Sequence, residues 1–271
     1  MSHITPNKRI TTARLKQMKA KGDLITMLTA YDYTMAKILD DSGIEVLLVG
    51  DSAANVFAGH DTTLPITVDQ MIYHASAVCR GASQALVLVD MPFGSYEENA
   101  TDAFNAAVKI MKESRAHALK LEGGVEIVPQ IKKITAAGIP ICGHLGLTPQ
   151  SVNQFGGFGV RAKDQGEAEK LISDAIALEE AGCFAIVVEK IPAELAKTVS
   201  QKVAIPIIGI GSGNGCDGQV LVVNDVLGLT KDFKPKFLRN YLNLYEEISG
   251  AVKNYISDVK TKDYPNKNEQ Y

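Results

Sequence analysis

Short apolar runs rich in Val, Ile and Leu recur along this chain. Runs of this kind are typical of strands that are buried on both faces, as in a parallel sheet. The segments between them have the periodicity of amphipathic helices, as in residues 165–181, where Gly182 ends the pattern. The alternation predicts eight strands, at residues 24–29, a run ending at Val49, 86–89, 118–121, 140–143, 184–188, 205–211 and 219–223.

Eight strands that alternate with helices over short loops predict an α/β protein with a (β/α)8 fold, a TIM barrel. The pattern also predicts an N-terminal helix at 11–20 and a long C-terminal helix at 236–259. The chain has 271 residues, close to the ~250 of a typical barrel of this kind. We therefore assign residues 1–260 to one barrel domain and residues 261–271 to a polar tail. An open, doubly wound sheet is the alternative, since it would alternate in the same way.

Charge and composition narrow the possible functions. Lys and Arg number 28 against 31 Asp and Glu, and the net charge of -3 argues against a nucleic-acid-binding surface. No apolar stretch reaches the ~18 residues of a membrane span, and residues 1–10 are polar and basic, unlike a secretory signal. The four cysteines are widely spaced and form no CxxC pair, so we expect reduced, buried thiols and a cytoplasmic protein.

Side chains that can ionise or bind metal follow five of the apolar runs. They are Asp51, Asp90, the pair Lys120 and Glu122, His144, and Glu189. In a parallel barrel the carboxyl ends of all strands meet at one rim, where enzymes of this architecture keep their active sites. Five such strand ends favour a closed barrel over an open sheet and predict an active site at that rim.

Asp51 and Asp90 predict a metal site, because a hard cation such as Mg2+ is held by one or two carboxylates and keeps other positions for water and substrate. The alternative is that each Asp caps the helix that follows it. Lys120 and Glu122 are two residues apart on a strand, so they share a face. Lys120 can then neutralise a substrate carboxylate and Glu122 can reach the metal directly or through water. A structural ion pair is the alternative.

Glu189 ends an apolar strand and is a candidate general base for a carbon acid. A salt bridge to Lys190 or another rim lysine is the alternative. His144 is either a functional residue or a hydrogen-bonded core histidine. The glycines at 209, 211, 213 and 215 do not match the spacing of a GxGxxG loop, so we expect close backbone packing around a substrate or cofactor rather than a phosphate site.

Seven groups of residues occur in an order that resembles the ketopantoate hydroxymethyltransferase family. The resemblance covers roughly residues 7–260, and it departs from the usual family pattern at 53–55 and in the loop 156–163. The groups are residues 28–32, 49–52, 59–65, 90–96, 120–124, 143–150, and 209–213 together with 216–219.

The resemblance implies a Mg2+-dependent enzyme of the pantothenate pathway, which is a decamer, a pentamer of dimers, in its bacterial members. Such an enzyme transfers a hydroxymethyl group from 5,10-methylenetetrahydrofolate to 3-methyl-2-oxobutanoate through an enolate. Matched position by position, Asp51, Asp90 and Glu122 are metal residues, and Glu189 is the proton acceptor. The predicted substrate-binding residues are Asp51, Ser52, Asp90, Lys120 and His144.

Two rival functions fit parts of this pattern. Mg2+ enolate enzymes of the isocitrate lyase and phosphoenolpyruvate mutase type share the metal and ketoacid chemistry, but their KKCGH-type loop is absent from this sequence. A non-catalytic barrel is the rival of a different class. Charges at all five strand ends argue against it, because unpaired rim charges are costly to keep in a scaffold without chemistry.

Overall fold

The computed structural model describes residues 9–271, and in them eight parallel strands form a closed barrel in which each strand pairs with its neighbours in sequence and β1 pairs with β8. The predicted TIM barrel is confirmed. The strands are β1 (Ile25–Thr29), β2 (Val46–Val49), β3 (Leu86–Asp90), β4 (Ala118–Glu122), β5 (Ile141–Gly146), β6 (Ala185–Glu189), β7 (Ile207–Ile210) and β8 (Gly218–Leu221).

Helices separate most of the strands, and none of those in residues 9–271 has the length and apolar composition to cross a membrane. Two 3-10 turns, Val125–Ile127 and Pro149–Ser151, lie in the loops after β4 and β5. The helices are α1 (Thr12–Lys21), α2 (Tyr33–Asp41), α3 (Ala53–Val56), α4 (Val68–Gly81), α5 (Ala100–Ser114), α6 (Val128–Ala136), α7 (Val152–Phe155), α8 (Gln165–Glu180), α9 (Ala193–Lys202), α10 (Val223–Val226) and α11 (Leu244–Thr261).

The interior of the barrel is apolar toward its amino-terminal end. Alternate residues of the strands, among them Val46, Leu88 and Val187, form one buried cluster. Leu15 and Met18 of α1 belong to the same cluster, so this helix closes the amino-terminal end of the barrel. The polar side chains of the interior lie at the carboxyl-terminal end of the barrel.

By its internal contacts the chain divides after Val222 into the barrel unit and a unit at Val223–Tyr271. In the second unit the predicted helix at 236–259 is wrong at its start, because α11 begins only at Leu244. The N–H groups of Tyr241 and Leu244 donate to the carbonyls of Val226 and Leu227, so this segment is hydrogen bonded back to the α10 region instead of being helical. The predicted single domain at 1–260 stays a prediction, and Thr261 of the predicted tail is helical.

The cysteines and the glycine-rich loop were also the subject of predictions. All four cysteines are free, and all but the partly exposed Cys79 are buried, as expected. The glycine-rich loop packs against protein atoms, since a Cβ at Gly213 would lie 2.4 Å from Ala193 Cβ and one at Gly215 2.7 Å from Lys197 Cβ. No helix forms between β7 and β8, in residues 211–217. The expected absence of a signal at residues 1–10 concerns a segment that lies mostly outside the described residues.

Candidate active site

The ionisable residues at the ends of β3, β4, β5 and β6 lie on the inward-facing sides of these strands. Along β3 the inward side chains are Leu86, Leu88 and then Asp90, and in β4 Ala118 is followed by Lys120 and Glu122. His144 of β5 and Glu189 of β6 follow Cys142 and Val187 in the same way. Because side chains alternate between the two faces of a strand, each apolar column ends in a polar group inside the barrel mouth. Asp90, Lys120, Glu122 and His144 are all buried.

Asp51 and Asp90 lie next to each other. Asp51 comes two residues after the end of β2, and its N–H donates to Asp90 Oδ2 over 3.1 Å. Its side chain is buried in the turn that leads into α3. Ser52 follows directly, is partly exposed, and its Oγ is 2.8 Å from the hydroxyl of Tyr31. Neither Asp51 nor Asp90 is the N-cap of a helix, so the capping alternative is not observed.

Lys120, Glu122 and His144 form the centre of the site. The Lys120 ammonium lies 3.1 Å from Asp90 Oδ1, 3.4 Å from Glu122 Oε1 and 3.1 Å from His144 Nδ1. His144 Nδ1 is also 2.9 Å from Glu122 Oε1. Opposite charges are therefore brought together in a buried place, where their interaction is only weakly screened.

Glu189 occupies the outer edge of this group. Its Oε2 is 3.6 Å from His144 Nε2, and 17% of its side chain is exposed. Its carbonyl accepts a hydrogen bond from the N–H of Leu147 over 2.8 Å. The alternative of a salt bridge to Lys190 is not observed, because the Lys190 ammonium donates to the carbonyl of Phe158.

The buried charges shift one another's protonation. Burial raises the pKa of Asp51 to about 8, assisted by the negative charges of Asp90 and Glu122. Burial also raises the pKa of Asp90, against the attraction of Lys120. For Glu122, burial acts upward, but His144 and Lys120 outweigh it and lower the pKa to about 2.

The pKa values of His144 and Lys120 are both raised, although burial by itself would lower them. Burial and the positive charge of Lys120 lower the pKa of His144, but Glu122 raises it more, to about 9. Burial likewise opposes the charged form of Lys120, yet Asp90 and Glu122 raise its pKa overall. The site thus favours a charged ammonium and imidazolium beside a set of acids at neutral pH.

Asp51 and Asp90 fit a hard divalent cation. They are adjacent carboxylates whose pKa values are both raised, and apart from the Lys120 ammonium 3.1 Å away, Asp90 Oδ1 has no hydrogen-bond partner within residues 9–271. A cation bound there would offset the excess negative charge. In the described part of the chain no three His, Cys, Asp or Glu residues are assembled as a metal-binding group. Both oxygens of Glu122 already have protein partners, so its role as a third ligand stays a prediction.

Two site residues were not identified from the sequence, although both lie in the segments that carry the family resemblance. Gln150 donates from its side chain to Asp51 Oδ2 over 2.9 Å, and Tyr96 donates to Gln150 Oε1 over 2.7 Å. Both residues are buried. Neither ends an apolar strand, and Gln150 is 99 positions from Asp51. No periodicity or spacing in the sequence marks them.

A closed parallel barrel with buried acids, a lysine and a histidine at its carboxyl-terminal rim defines a class, the (β/α)8 enzymes whose active site lies at that rim. The model of the ketopantoate hydroxymethyltransferase family matches residues 9–267, and the chain belongs to this family. The predicted resemblance and the prediction of an enzyme of this family are confirmed.

Relatives of high identity carry the family name. A 3-methyl-2-oxobutanoate hydroxymethyltransferase of Flavobacterium johnsoniae is 62% identical over 264 residues, which cover 97% of each chain. One from Parabacteroides distasonis is 57% identical over 271 residues and covers 100% of this chain and 99% of its own. The similarity therefore extends over the whole barrel and the segment that follows it.

Solved structures of lower identity share the fold. A putative phosphonomutase from Burkholderia cenocepacia matches with a TM-score of 0.62 at 15% identity and covers 93% of this chain and 98% of its own. A phosphonopyruvate hydrolase in complex with oxalate and Mg++ matches with a TM-score of 0.61 at 12% identity, with 96% and 93% covered. At these identities the likeness establishes the barrel fold alone.

Proposed function

We propose that the chain transfers a hydroxymethyl group from 5,10-methylenetetrahydrofolate to 3-methyl-2-oxobutanoate in a Mg2+-dependent reaction that yields ketopantoate for pantothenate biosynthesis. Family membership and the identity of its relatives support the overall reaction. The pair of adjacent carboxylates supports the metal requirement. A cytoplasmic homo-oligomer, a decamer by family resemblance, belongs to the same proposal.

We infer that Lys120 and Ser52 bind the carboxylate of the ketoacid. The Ser52 hydroxyl is held by Tyr31, and it adjoins Asp51 in sequence. The Lys120 ammonium lies 3.1 Å from Asp90, so a charge that attracts a carboxylate lies beside the proposed metal residues. This arrangement suits a 2-oxo acid, in which a carboxylate and a keto group are neighbours.

Asp51 and Asp90 would hold Mg2+. The ion, when bound, supplies a Lewis acid that lowers the cost of the negative charge arising on the keto oxygen. Lys120 contributes a further positive charge in the same buried place, where it acts more strongly than in water. Preorganised positive charge of this kind favours formation of an enolate from the ketoacid.

Glu189 would remove the proton from C3 of the ketoacid. One observation carries this assignment. Asp51, Asp90 and Glu122 are buried and engaged by other protein groups, whereas Glu189 is partly exposed, and its one ionic contact in the described chain is His144 at 3.6 Å. Glu189 is thus the site carboxylate left able to take a proton. A protonated His144 facing it would keep the Glu189 carboxylate oriented.

The enolate carbon then attacks the one-carbon unit of the folate. A C–C bond forms at C3, the bonds between the transferred carbon and the folate nitrogens break, and water supplies the hydroxyl oxygen. Tetrahydrofolate and ketopantoate leave. The proton balance closes because the two folate nitrogens each gain one proton, one from the water that supplies the hydroxyl group and one, by way of Glu189, from C3.

Deuterium exchange at C3 tests the proposal without the folate. Wild-type protein with Mg2+ and 3-methyl-2-oxobutanoate in D2O should exchange C3 hydrogen, followed by NMR. Glu189→Gln keeps the shape and removes the basicity, so exchange should fall by about two to four orders of magnitude. Ketoacid and Mg2+ should bind nearly as tightly as in wild type.

Glu126→Gln is the matched control. Glu126 lies in the loop after β4 and accepts a hydrogen bond from the Gly124 N–H over 3.0 Å, outside the group of residues described above. Its replacement should leave C3 exchange unchanged. Wild-type exchange in Glu189→Gln would exclude Glu189 as the base and make His144 the next candidate.

A further inference from the structure

The side chain of Gln150 uses every polar atom it has. It lies on the 3-10 turn Pro149–Ser151, directly after β5, and is buried. Its Nε2 donates to Asp51 Oδ2 over 2.9 Å and to the carbonyl of Met91 over 3.0 Å. Its Oε1 accepts from the Tyr96 hydroxyl over 2.7 Å. Three distant parts of the chain are thereby joined through one amide.

The orientation of this amide is forced by its partners. The carbonyl of Met91 can only accept a hydrogen bond, so the –NH2 group of Gln150 must face Met91, and on this side it faces Asp51 as well. The Tyr96 hydroxyl donates to the amide oxygen from the other side. Tyr96 is itself fixed, because its hydroxyl oxygen accepts the N–H of Glu122 over 3.1 Å. An amide held on both ends has no low-energy flipped state.

The consequence falls on the Asp51 carboxylate. The Gln150 amide binds Oδ2 and not Oδ1. A carboxylate held through one oxygen cannot rotate freely, and its other oxygen then has a defined direction. A cation at this site would meet Oδ1 already oriented, without the cost of ordering the side chain on binding.

We propose that Gln150, held by Tyr96, is a positioning residue that fixes the Asp51 carboxylate and leaves Oδ1 as the oxygen offered to the metal. The inference rests on the proposed function, because it takes Asp51 as a metal residue. This role requires no contact between the ketoacid and either Gln150 or Tyr96. Both act through Asp51.

Metal affinity measured without any substrate tests the inference. Mn2+ is the probe, since free Mn2+ is quantified by its paramagnetic resonance signal, and the titration uses the full chain. Gln150→Met removes the amide at similar length. Partners of metal ligands typically contribute 10–100-fold in affinity, so the Mn2+ dissociation constant should rise by about that factor.

Gln130→Met provides the matched control. Gln130 is also a glutamine, and both residues are 6% exposed, but Gln130 lies on α6 and donates to the carbonyl of Glu97 over 3.3 Å. Both variants should lower the melting temperature of the metal-free protein. Only Gln150→Met should change the Mn2+ dissociation constant. Equal weakening in both variants would indicate a general loss of packing and would overturn the inference.

Tyr96→Phe tests the orienting step and serves also if Gln150→Met does not fold. It removes the donor to Gln150 Oε1 and should weaken Mn2+ binding in the same direction, by less than Gln150→Met. In the double variant the Tyr96 change should add nothing to the loss, because its effect passes through Gln150. Additive losses of Mn2+ affinity would show that Tyr96 acts through Glu122 and not through Gln150. The orienting role of Tyr96 would then be refuted.

The failure of the inference is distinguishable from the failure of the metal proposal. If wild-type protein binds no Mn2+, the proposed metal site itself is wrong. If wild-type protein binds Mn2+ and Gln150→Met binds it equally well, the metal site stands and the positioning role of Gln150 is refuted.

Discussion

At the scale of single residues, the site carries more negative than positive charge. Asp51, Asp90 and Glu122 are buried against Lys120 and His144, with Glu189 at the edge. The imbalance falls most heavily on Asp51, since burial and two neighbouring carboxylates raise its pKa to about 8. In the metal-free protein at neutral pH, this carboxyl therefore holds a proton that a bound cation must displace.

Mg2+ binding should release protons in a way that depends on pH. Near pH 7 Asp51 is mostly protonated without metal and ionised with it, so release should approach ~1 proton per site. Above about pH 9.5 the carboxyl is already ionised and the release should fall toward zero. Titration calorimetry in two buffers of different ionisation enthalpy measures the proton count. A binding enthalpy independent of the buffer at pH 7 would contradict the prediction.

At the scale of elements, the ends of two strands fix the position of Glu189, the proposed base. β5 and β6 pair in parallel up to Gly146 opposite Glu189. Gly146 has a φ of +88°, and a Cβ there would lie 2.4 Å from the Glu189 carbonyl oxygen. This close approach explains why only glycine suits the position, and it holds the backbone of Glu189 against the end of the neighbouring strand.

Gly146→Ala should both destabilise the fold and slow C3 exchange, because the new methyl group must push the Glu189 backbone away. Gly138→Ala separates strain from contact, since Gly138 has a φ of +87° with nothing within 4 Å of a Cβ. The control should cost about 1–2 kcal/mol of unfolding free energy, the cost of a left-handed alanine, and leave exchange unchanged. Urea unfolding and deuterium exchange measure the two effects. Equal unfolding free energies and equal C3 exchange rates in the two variants would refute an effect of the close approach between position 146 and the Glu189 backbone.

At the scale of the whole molecule, stability and chemistry occupy opposite ends of the barrel. The apolar cluster fills the lower interior, and Leu15 and Met18 of α1 close it. The carboxyl-terminal end buries the charges of the proposed active site, and those of Asp51 and Asp90 oppose folding when no cation is bound. A trade-off between stability and activity follows for the residues at the rim.

Asp51→Asn should abolish Mg2+-dependent turnover while raising the melting temperature of the metal-free protein by ~3 °C or more, about 1 kcal/mol. The folded-state pKa of Asp51 is raised, so its cost is absent below its unfolded pKa near 4 and grows as the pH rises toward 8. The gain from the substitution should therefore be larger at pH 8 than at pH 5. Scanning calorimetry in the presence of chelator at pH 5 and pH 8 measures this gain. A melting temperature of Asp51→Asn below that of wild type at pH 8 would contradict the prediction.

The sequence by itself determined the barrel and the residues at its rim. Both depend on local pattern, because a buried parallel strand reads as an apolar run and its final inward residue projects from the mouth. Asp90, Lys120, Glu122 and Glu189 were found in this way. The ordered family segments identified the family on the same chain.

Tertiary structure alone decided which of these groups meet. His144 lies between Glu122 and Glu189, and Gln150 reaches Asp51 across 99 positions of sequence, because barrel closure and strand register bring separate turns together. The start of α11 was missed for the same reason, since the N–H groups before it bond to carbonyls near α10. Periodicity records which face a residue takes, whereas hydrogen-bond partners are fixed only when distant segments pack.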